Sequence, residues 1–257
     1  MTALFETYRP AALGDVVGQS AAVRQIQAVT NRGWGGRAWW ITGPSGAGKS
    51  TLARVIAAMG ADDYAVEELD AQRLTPARVR ELQEAYRCRA LGDKGGKVFV
   101  VNEAHGLRRD TIRELLTALE PPGGLPQHIV WVFTTTKSGE ARLFDDDESG
   151  DAAPLLSRCV EVELKYGDEA RTAYAQRAQS IAQREGIDGL PMLVYLRAID
   201  ASKGNLRRVL QRIESGAFRA DAVECLEREY EMVKSTKGPW AEQQRATINA
   251  ALAKARG

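Results

Sequence analysis

Histidine and cysteine are scarce in this 257-residue chain, and their scatter argues against a zinc site or a redox pair. There are two histidines, His105 and His128, and three cysteines, Cys88, Cys159 and Cys225. No C-x-x-C pair occurs, and nitrogen and sulfur ligands do not gather at the short spacings that zinc needs. The thiols read as free, buried groups in a reducing compartment. Long apolar runs are missing too. None reaches the roughly 20 residues of a membrane-crossing helix. The opening Met1-Thr2-Ala3-Leu4-Phe5-Glu6 lacks the basic-then-apolar order of a signal peptide. These absences predict a cytoplasmic protein without membrane contact. An excess of charge of one sign is also lacking: 35 Lys and Arg stand against 34 Asp and Glu, for a net +1. Bulk charge therefore does not hold the chain on nucleic acid, although a local basic stripe or a ring of subunits still could.

What is present reads as an α/β protein. Apolar, β-rich runs at 38–42, 66–69, 98–101, 129–133 and 160–164 alternate with helical patterns, as in a parallel five-stranded sheet. The runs at 98–101 and 129–133 are apolar at every position, as expected of strands covered on both faces. Helix starts are expected at Ser20, at Thr75-Pro76 and at Asp110, each offering a capping side chain. After residue 164 the pattern is helical only, with helices expected over 168–185, 190–199 and 205–214. The reading is a nucleotide-binding domain (1–164), a small three-helix lid (165–217) hinged near Lys165-Tyr166-Gly167, and a short helical, basic tail (218–257) broken at Gly238-Pro239.

The sharpest chemistry lies at Gly43-Pro44-Ser45-Gly46-Ala47-Gly48-Lys49-Ser50-Thr51, a complete G-x-x-x-x-G-K-[ST] P-loop between an apolar strand and a helix. Its glycines let backbone N–H groups wrap phosphates. Lys49 reaches the β/γ oxygens, and the Ser50 hydroxyl ligates Mg²⁺. The expected ligands are therefore ATP and Mg²⁺. Downstream, Val98-Phe99-Val100-Val101 runs into Asn102-Glu103-Ala104-His105. A P-loop ATPase needs an acidic group at such a strand end for the metal shell, and a base that orients water. Glu103 suits the base. Asn102 occupies the position where an aspartate is usual, keeping its shape but not its charge. His105 reads as structural.

Further segments resemble the sliding-clamp loaders of the AAA+ ATPases, namely replication factor C and the bacterial gamma/tau subunits. Tyr8-Arg9-Pro10 followed by Asp15-Val16-Val17-Gly18-Gln19 is similar to the family's amino-terminal box, which lies against the adenine. Glu68-Leu69-Asp70-Ala71 with Val79-Arg80-Glu81-Leu82 is similar to the segment between the Walker motifs. Leu115-Leu116-Thr117-Ala118-Leu119-Glu120-Pro121-Pro122 is similar to the family's L-L-x-x-L-E-x-P-P helix end, one residue shorter. Phe133-Thr134-Thr135-Thr136 resembles the sensor 1 strand, Ser157-Arg158-Cys159 the arginine finger, and Gly204-Asn205-Leu206-Arg207 the sensor 2 helix. The resemblance spans about residues 5 to 215.

It implies an AAA+ core whose lid follows the sheet. Tyr8, Arg9, Pro10, Val17 and Gly18 would flank the nucleotide, and Thr136 would touch the γ-phosphate or the attacking water. Arg207 would reach the phosphates in the same subunit, and Arg158 those of a neighbour. Other AAA+ subunits, a sliding clamp and DNA, met through an assembled ring, are the implied partners. Two readings stand beside a loader: a nucleotide-binding structural subunit with little turnover, and an AAA+ switch for recombination, transposition or defence.

Departures from the family are Asn102, the absence of the bacterial zinc cysteines, and about ten extra residues before the finger. The extra residues include Asp145, Asp146, Asp147, Glu148 and Asp151. They read as a solvated loop or as an acidic contact with a partner. About forty residues after the lid are also fewer than the family's helical collar needs. That tail carries Lys234, Lys237, Arg245, Lys254, Arg256 and Trp240. It reads as a solvated helix or as a contact for DNA phosphates.

Overall fold

The computed structural model describes residues 2–136, 152–187 and 190–256; the acidic residues 145–148 and Asp151 lie outside them. Five strands follow one another as β1 (Arg37–Thr42), β2 (Ala61–Asp70), β3 (Gly96–Asn102), β4 (Ile129–Thr135) and β5 (Cys159–Glu163). The first helices are α1 (Leu4–Thr7), α2 (Ser20–Thr30), α3 (Lys49–Ala58), α4 (Pro76–Glu84), α5 (Arg109–Leu119) and α6 (Ala152–Leu156). Then come α7 (Asp168–Arg184), α8 (Met192–Ala201), α9 (Leu206–Glu214), α10 (Ala217–Lys234) and α11 (Pro239–Arg256). The chain groups into two compact units, residues 10–165 and residues 1–9 with 166–257.

The first unit is built on one sheet of order β2-β3-β4-β1-β5 with every pair parallel. Successive side chains leave a strand on opposite faces, so an unbroken apolar strand needs cover on both. Trp40, Phe99, Trp131 and Phe133 pack on one face with Val79 and Leu82 of α4 and Ile112 and Leu115 of α5. Trp39, Ile41, Val98, Val100, Val130 and Val132 pack on the other with Ile26 of α2 and Leu52, Val55 and Ile56 of α3. Every residue of β4 is buried. The Trp131 indole donates to the Tyr86 hydroxyl (2.7 Å), which donates to the Ala118 carbonyl (3.1 Å), so the largest polar groups of this layer are paired. Burial pushes the Tyr86 phenol far above its usual range.

Strand β2 begins five residues earlier than its apolar pattern predicts. It lies at the sheet edge, and its register on β3 breaks between Ala61 and Val66. Polar Asp62 and Asp63 belong to that irregular stretch, where an outer strand tolerates them. Thr75 caps α4 as expected: its side chain accepts from the Arg78 N–H (3.3 Å), and Pro76 follows at the first turn. Two expected caps move. Ser20 is the first residue of α2, behind Gln19, and Asp110 lies inside the first turn of α5, behind Arg108. There the Asp110 carboxylate accepts from the Thr111 N–H (2.8 Å). The thiols also depart from their expected burial: Cys88 is exposed, and Cys159 and Cys225 are half-buried.

The second unit is helical. Alanines dominate the buried side of α7, with Tyr174 and Ile181 among them. In α8, Tyr195 is fully buried and meets Phe218 of α10 at 5.1 Å between ring centroids. Asn205 caps α9 by accepting from the Arg208 N–H (3.1 Å). The tail is a hairpin of two 18-residue helices, α10 and α11, turned near Gly238. The Arg245 guanidinium donates to the carbonyls of Val233, Lys234 and Thr236 at 3.1, 3.2 and 2.8 Å, satisfying acceptors that the end of α10 leaves open. Arg256 of α11 pairs with Glu227 of α10, so two cations of the closing helix serve the hairpin, while Lys234 pairs with Glu231 inside α10. None of the described helices is long and apolar enough to cross a membrane.

Candidate functional site

The P-loop leaves β1 at Thr42 and closes onto α3, whose first residue is Lys49. Its shape depends on glycine. Gly46 and Gly48 have φ of +80° and +98°, a region that side chains rarely enter. Gly43 has φ +148°, and a Cβ there would stand 2.7 Å from the Leu164 carbonyl oxygen. That carbonyl belongs to the segment leaving β5, whose Leu164 N–H donates to the Thr42 carbonyl (2.8 Å). Gly48 has open space where a Cβ would project.

Lys49 is 8 % exposed, and its ammonium donates to the carbonyls of Gly43 (2.9 Å) and Pro44 (3.0 Å). The site therefore holds a nearly buried cation within a loop of backbone groups, at the amino terminus of a ten-residue helix. This donor set fits a polyphosphate. Ser50 is half-buried one residue further on, and its hydroxyl is of a kind that could ligate a metal. Ser45, Ala47 and Thr51 complete the segment, with the Ala47 N–H donating to the Pro44 carbonyl (3.2 Å).

The strand register brings the second set of residues to the same edge of the sheet. Val101 of β3 pairs with Phe133 of β4, and Thr42 of β1 pairs with Thr135 of β4. Three strands thus end side by side. There the Thr134 hydroxyl donates to Asn102 Oδ1 (3.1 Å). Glu103 follows Asn102 with φ +53° and ψ +48°, a left-handed conformation, and its side chain is about half exposed. His105 Nδ1 lies 3.0 Å from Thr135 Oγ1 and 3.5 Å from Glu103 Oε2. Thr136 is exposed at a bend just beyond β4.

Arg158 stands in the turn between α6 and β5. One of its nitrogens donates to Glu120 Oε2 (2.6 Å) and another to the Pro154 carbonyl (2.8 Å), while its Nε is buried without a hydrogen-bond partner. The two family signatures that end α5 and begin β5 are therefore joined by an ion pair. Burial raises the neighbouring Cys159 thiol well above its usual range and leaves it unreactive.

Pro10, Val17 and Gly18 belong to the α/β unit, with Gly18 at φ +68°. Next to them, Gln19 both donates to the Lys165 carbonyl (2.9 Å) and accepts from the Lys165 N–H (3.1 Å), tying this box to the end of β5. Tyr8 and Arg9 belong to the helical unit. The Tyr8 hydroxyl donates to Glu185 (2.8 Å), the Tyr8 carbonyl accepts from Arg177 (3.1 Å), and Arg9 pairs with Glu6. Arg207 is exposed in the same unit, its guanidinium carbon 5.2 Å from the centre of the Phe5 ring.

Sequence reasoning quoted Thr134, Thr135 and Gln19 within their motifs but gave them no role, and it missed the Glu120 contact. The two threonines carried a signal, being polar residues at the end of an otherwise apolar strand. The pairing of Glu120 with Arg158, 38 positions apart, carried none.

The AAA family, described as the ATPase family associated with various cellular activities, matches residues 40–145. Over that segment the chain resembles the AAA ATPases. That segment runs from the end of β1 through the P-loop, β2, β3 and β4, and so includes the ends of the three strands that finish side by side.

Relatives extend the likeness beyond the AAA segment. The DNA polymerase III subunit tau of Escherichia coli (strain K12) is 27% identical over 240 residues, covering 83% of this chain and 35% of that protein. The replication factor C small subunit of Methanoregula boonei is 25% identical over 233 residues, covering 87% and 66%. The DNA polymerase III subunit gamma of Buchnera aphidicola subsp. Baizongia pistaciae is 30% identical over 186 residues, covering 63% and 46%. The chain thus spans from about a third to two thirds of the length of these relatives. Among solved structures, the RuvB Holliday junction branch migration motor of Thermotoga maritima superposes with a TM-score of 0.62 at 17% identity, over 96% of this chain and 72% of that one. At that identity the two share the AAA+ P-loop fold.

Proposed function

We propose that this chain is an ATP-hydrolysing subunit of a clamp-loader-type AAA+ assembly acting on DNA. Residues 1–164 serve as its nucleotide-binding domain, 165–217 as its lid and 218–257 as its tail. The observation that carries the reading is the common edge formed by β1, β3 and β4. The P-loop leading to Lys49 and Ser50 leaves one of these strands, Asn102 and Glu103 stand at the end of the next, and Thr134 to Thr136 close the strand between them. The clamp-loader names of the relatives support the choice of client.

In this reading the P-loop amides and Lys49 hold the phosphates, and the Ser50 hydroxyl with the Asn102 amide oxygen faces the metal. Mg²⁺ bound there offsets charge on the β- and γ-phosphate oxygens. Glu103 orients the attacking water and Thr136 steadies the γ end. Arg207 contributes from the helical unit of the same chain, and Arg158 from a neighbouring subunit. Tyr8, Arg9, Pro10, Val17 and Gly18 border the base. The test is phosphate release by the purified chain alone, with primed DNA, and with primed DNA plus a sliding clamp. We expect turnover to rise most when DNA and clamp are added together, and Lys49→Ala to silence it. Turnover indifferent to both additions would reject the clamp.

A second reading is favoured by one observation: Asn102 gives its amide oxygen to Thr134 and offers no charge to a metal. A nucleotide-holding structural subunit meets that description. It would bind ATP with Mg²⁺ but release no phosphate in any of the three mixtures.

A further inference from the structure

Glu103 is one of two non-glycine residues at positive φ among those described, the other being Lys203 in the helical unit. A left-handed backbone is costly for a side-chain-bearing residue and persists only where its surroundings over-determine it. The surroundings here are a single turn. The Gly106 N–H donates to the Glu103 carbonyl (2.8 Å) and the Leu107 N–H to the Ala104 carbonyl (3.2 Å). Ala104 and Leu107 anchor that turn in the core. Between them His105 reaches out of the turn, and its Nδ1 shares a 3.0 Å hydrogen bond with Thr135 Oγ1 at the buried end of β4. The same nitrogen faces the Glu103 carboxylate at 3.5 Å. One imidazole therefore ties the turn after β3 to the neighbouring strand and borders the carboxylate whose backbone that turn strains.

We propose that His105 is a positioning residue: its bond to Thr135 holds the 104–106 turn in place, and the turn keeps Glu103 left-handed and aimed beyond the sheet edge. The proposal rests on the reading of Glu103 as the group that orients water. His105 touches neither water nor phosphate in this role. Without the tether, Glu103 relaxes toward an ordinary backbone conformation and its carboxylate moves, while the P-loop is untouched. Turnover then falls and nucleotide affinity does not.

The test compares His105→Ala, His105→Asn, Thr135→Val and the double variant His105→Ala/Thr135→Val. ATP affinity is read by calorimetry, kcat and KM by phosphate release, and folding by thermal melting. His105→Ala is expected to lower kcat about tenfold or more with ATP affinity unchanged, since displacing a reacting group by an ångström costs up to about a hundredfold. Asparagine, whose amide stands near the position of Nδ1, is expected to recover much of the loss. Thr135→Val is expected to match His105→Ala, and the double variant to be no worse than either, because both cut one bond. Full kcat in His105→Ala, or losses that multiply in the double variant, would overturn the proposal. If His105→Ala does not fold, His105→Asn and Thr135→Val decide alone: wild-type kcat in Thr135→Val rejects the tether. Glu103→Gln separates the two layers. Persistent turnover in that variant means the reading of Glu103 is wrong, whereas a dead Glu103→Gln beside a fully active His105→Ala means only the tether is wrong.

Discussion

Lys49 and Asn102 divide the chemistry of the site between them. Lys49 keeps its ammonium nearly out of solvent against two carbonyls of its own loop, so an incoming phosphate takes over a donor that is already placed. Truncation to alanine is expected to weaken ATP binding at least about tenfold, equivalent to about 1.4 kcal/mol, by titration calorimetry. Equal affinities for wild type and Lys49→Ala would contradict the assignment. Asn102 is the reverse case, a residue whose shape is retained and whose charge is missing. Asn102→Asp keeps an oxygen for the Thr134 hydroxyl and adds a negative charge toward the metal, so hydrolysis should speed up. A steady-state rate no higher than wild type would place the limit elsewhere. Lys49 was legible in the sequence because the P-loop is contiguous and its chemistry follows from spacing alone. The Thr134 and His105 contacts were not, since they depend on which residue of β4 stands beside which residue of β3.

Elements show the same division between local and distant cause. Helix α4 starts where its cap predicts, since Thr75 acts on an N–H group three residues away, and α9 falls within its expected span with Asn205 as a cap that the structure adds. The outer half of β2 escaped notice because an edge strand with a register break need not alternate. The tail was legible as helical up to Gly238. The closing helix α11 reads weakly, being alanine-rich and polar, and it is held by its hairpin partner. Arg245 is central to that hold: replacing it with alanine leaves the last carbonyls of α10 to water and should cost about 1 kcal/mol. Hydrogen exchange should then rise at the end of α10 and the start of α11, and unaltered protection there would refute the capping role.

A second prediction at this scale concerns α7 and α8, joined by the fork of Arg171 on Asp200 at 2.8 and 2.7 Å, with the Tyr166 hydroxyl donating at 3.0 Å. The Arg171 bond holds the Asp200 carboxyl below the usual carboxylate range. A depressed carboxyl pKa stabilises the fold above the unfolded value near about 3.9 and loses that contribution as pH falls through the folded value. The pair is well exposed, so its worth is about 0.5 kcal/mol or less. Asp200→Asn should lower the melting point slightly at pH 6 and by less as the pH falls below the usual carboxylate range. An equal loss at every pH would deny the ion pair its part.

At the scale of the whole molecule, the assignment of Arg158 is a statement about more than one chain. In one protomer its guanidinium pairs with Glu120 and a backbone carbonyl. If it completes a neighbour's site, Arg158→Ala should bind ATP normally and fail to hydrolyse it. Mixing that variant with Lys49→Ala should recover part of the rate, because some interfaces then join an intact P-loop to an intact arginine. Co-assembled mixtures that stay dead at every ratio would return Arg158 to a structural role beside Glu120.

The division into two units leaves a consequence for measurement. Four of the five tryptophans, at 34, 39, 40 and 131, belong to the α/β unit, and three of them are at most 1 % exposed; the fifth, Trp240, is exposed in the helical unit. Emission from the chain is therefore a report on the sheet, blue while its two packed faces stay dry and red once they open. With Trp240 replaced by phenylalanine, the remaining light comes from the α/β unit alone. Melting of the sheet can then be followed optically while circular dichroism follows the helices.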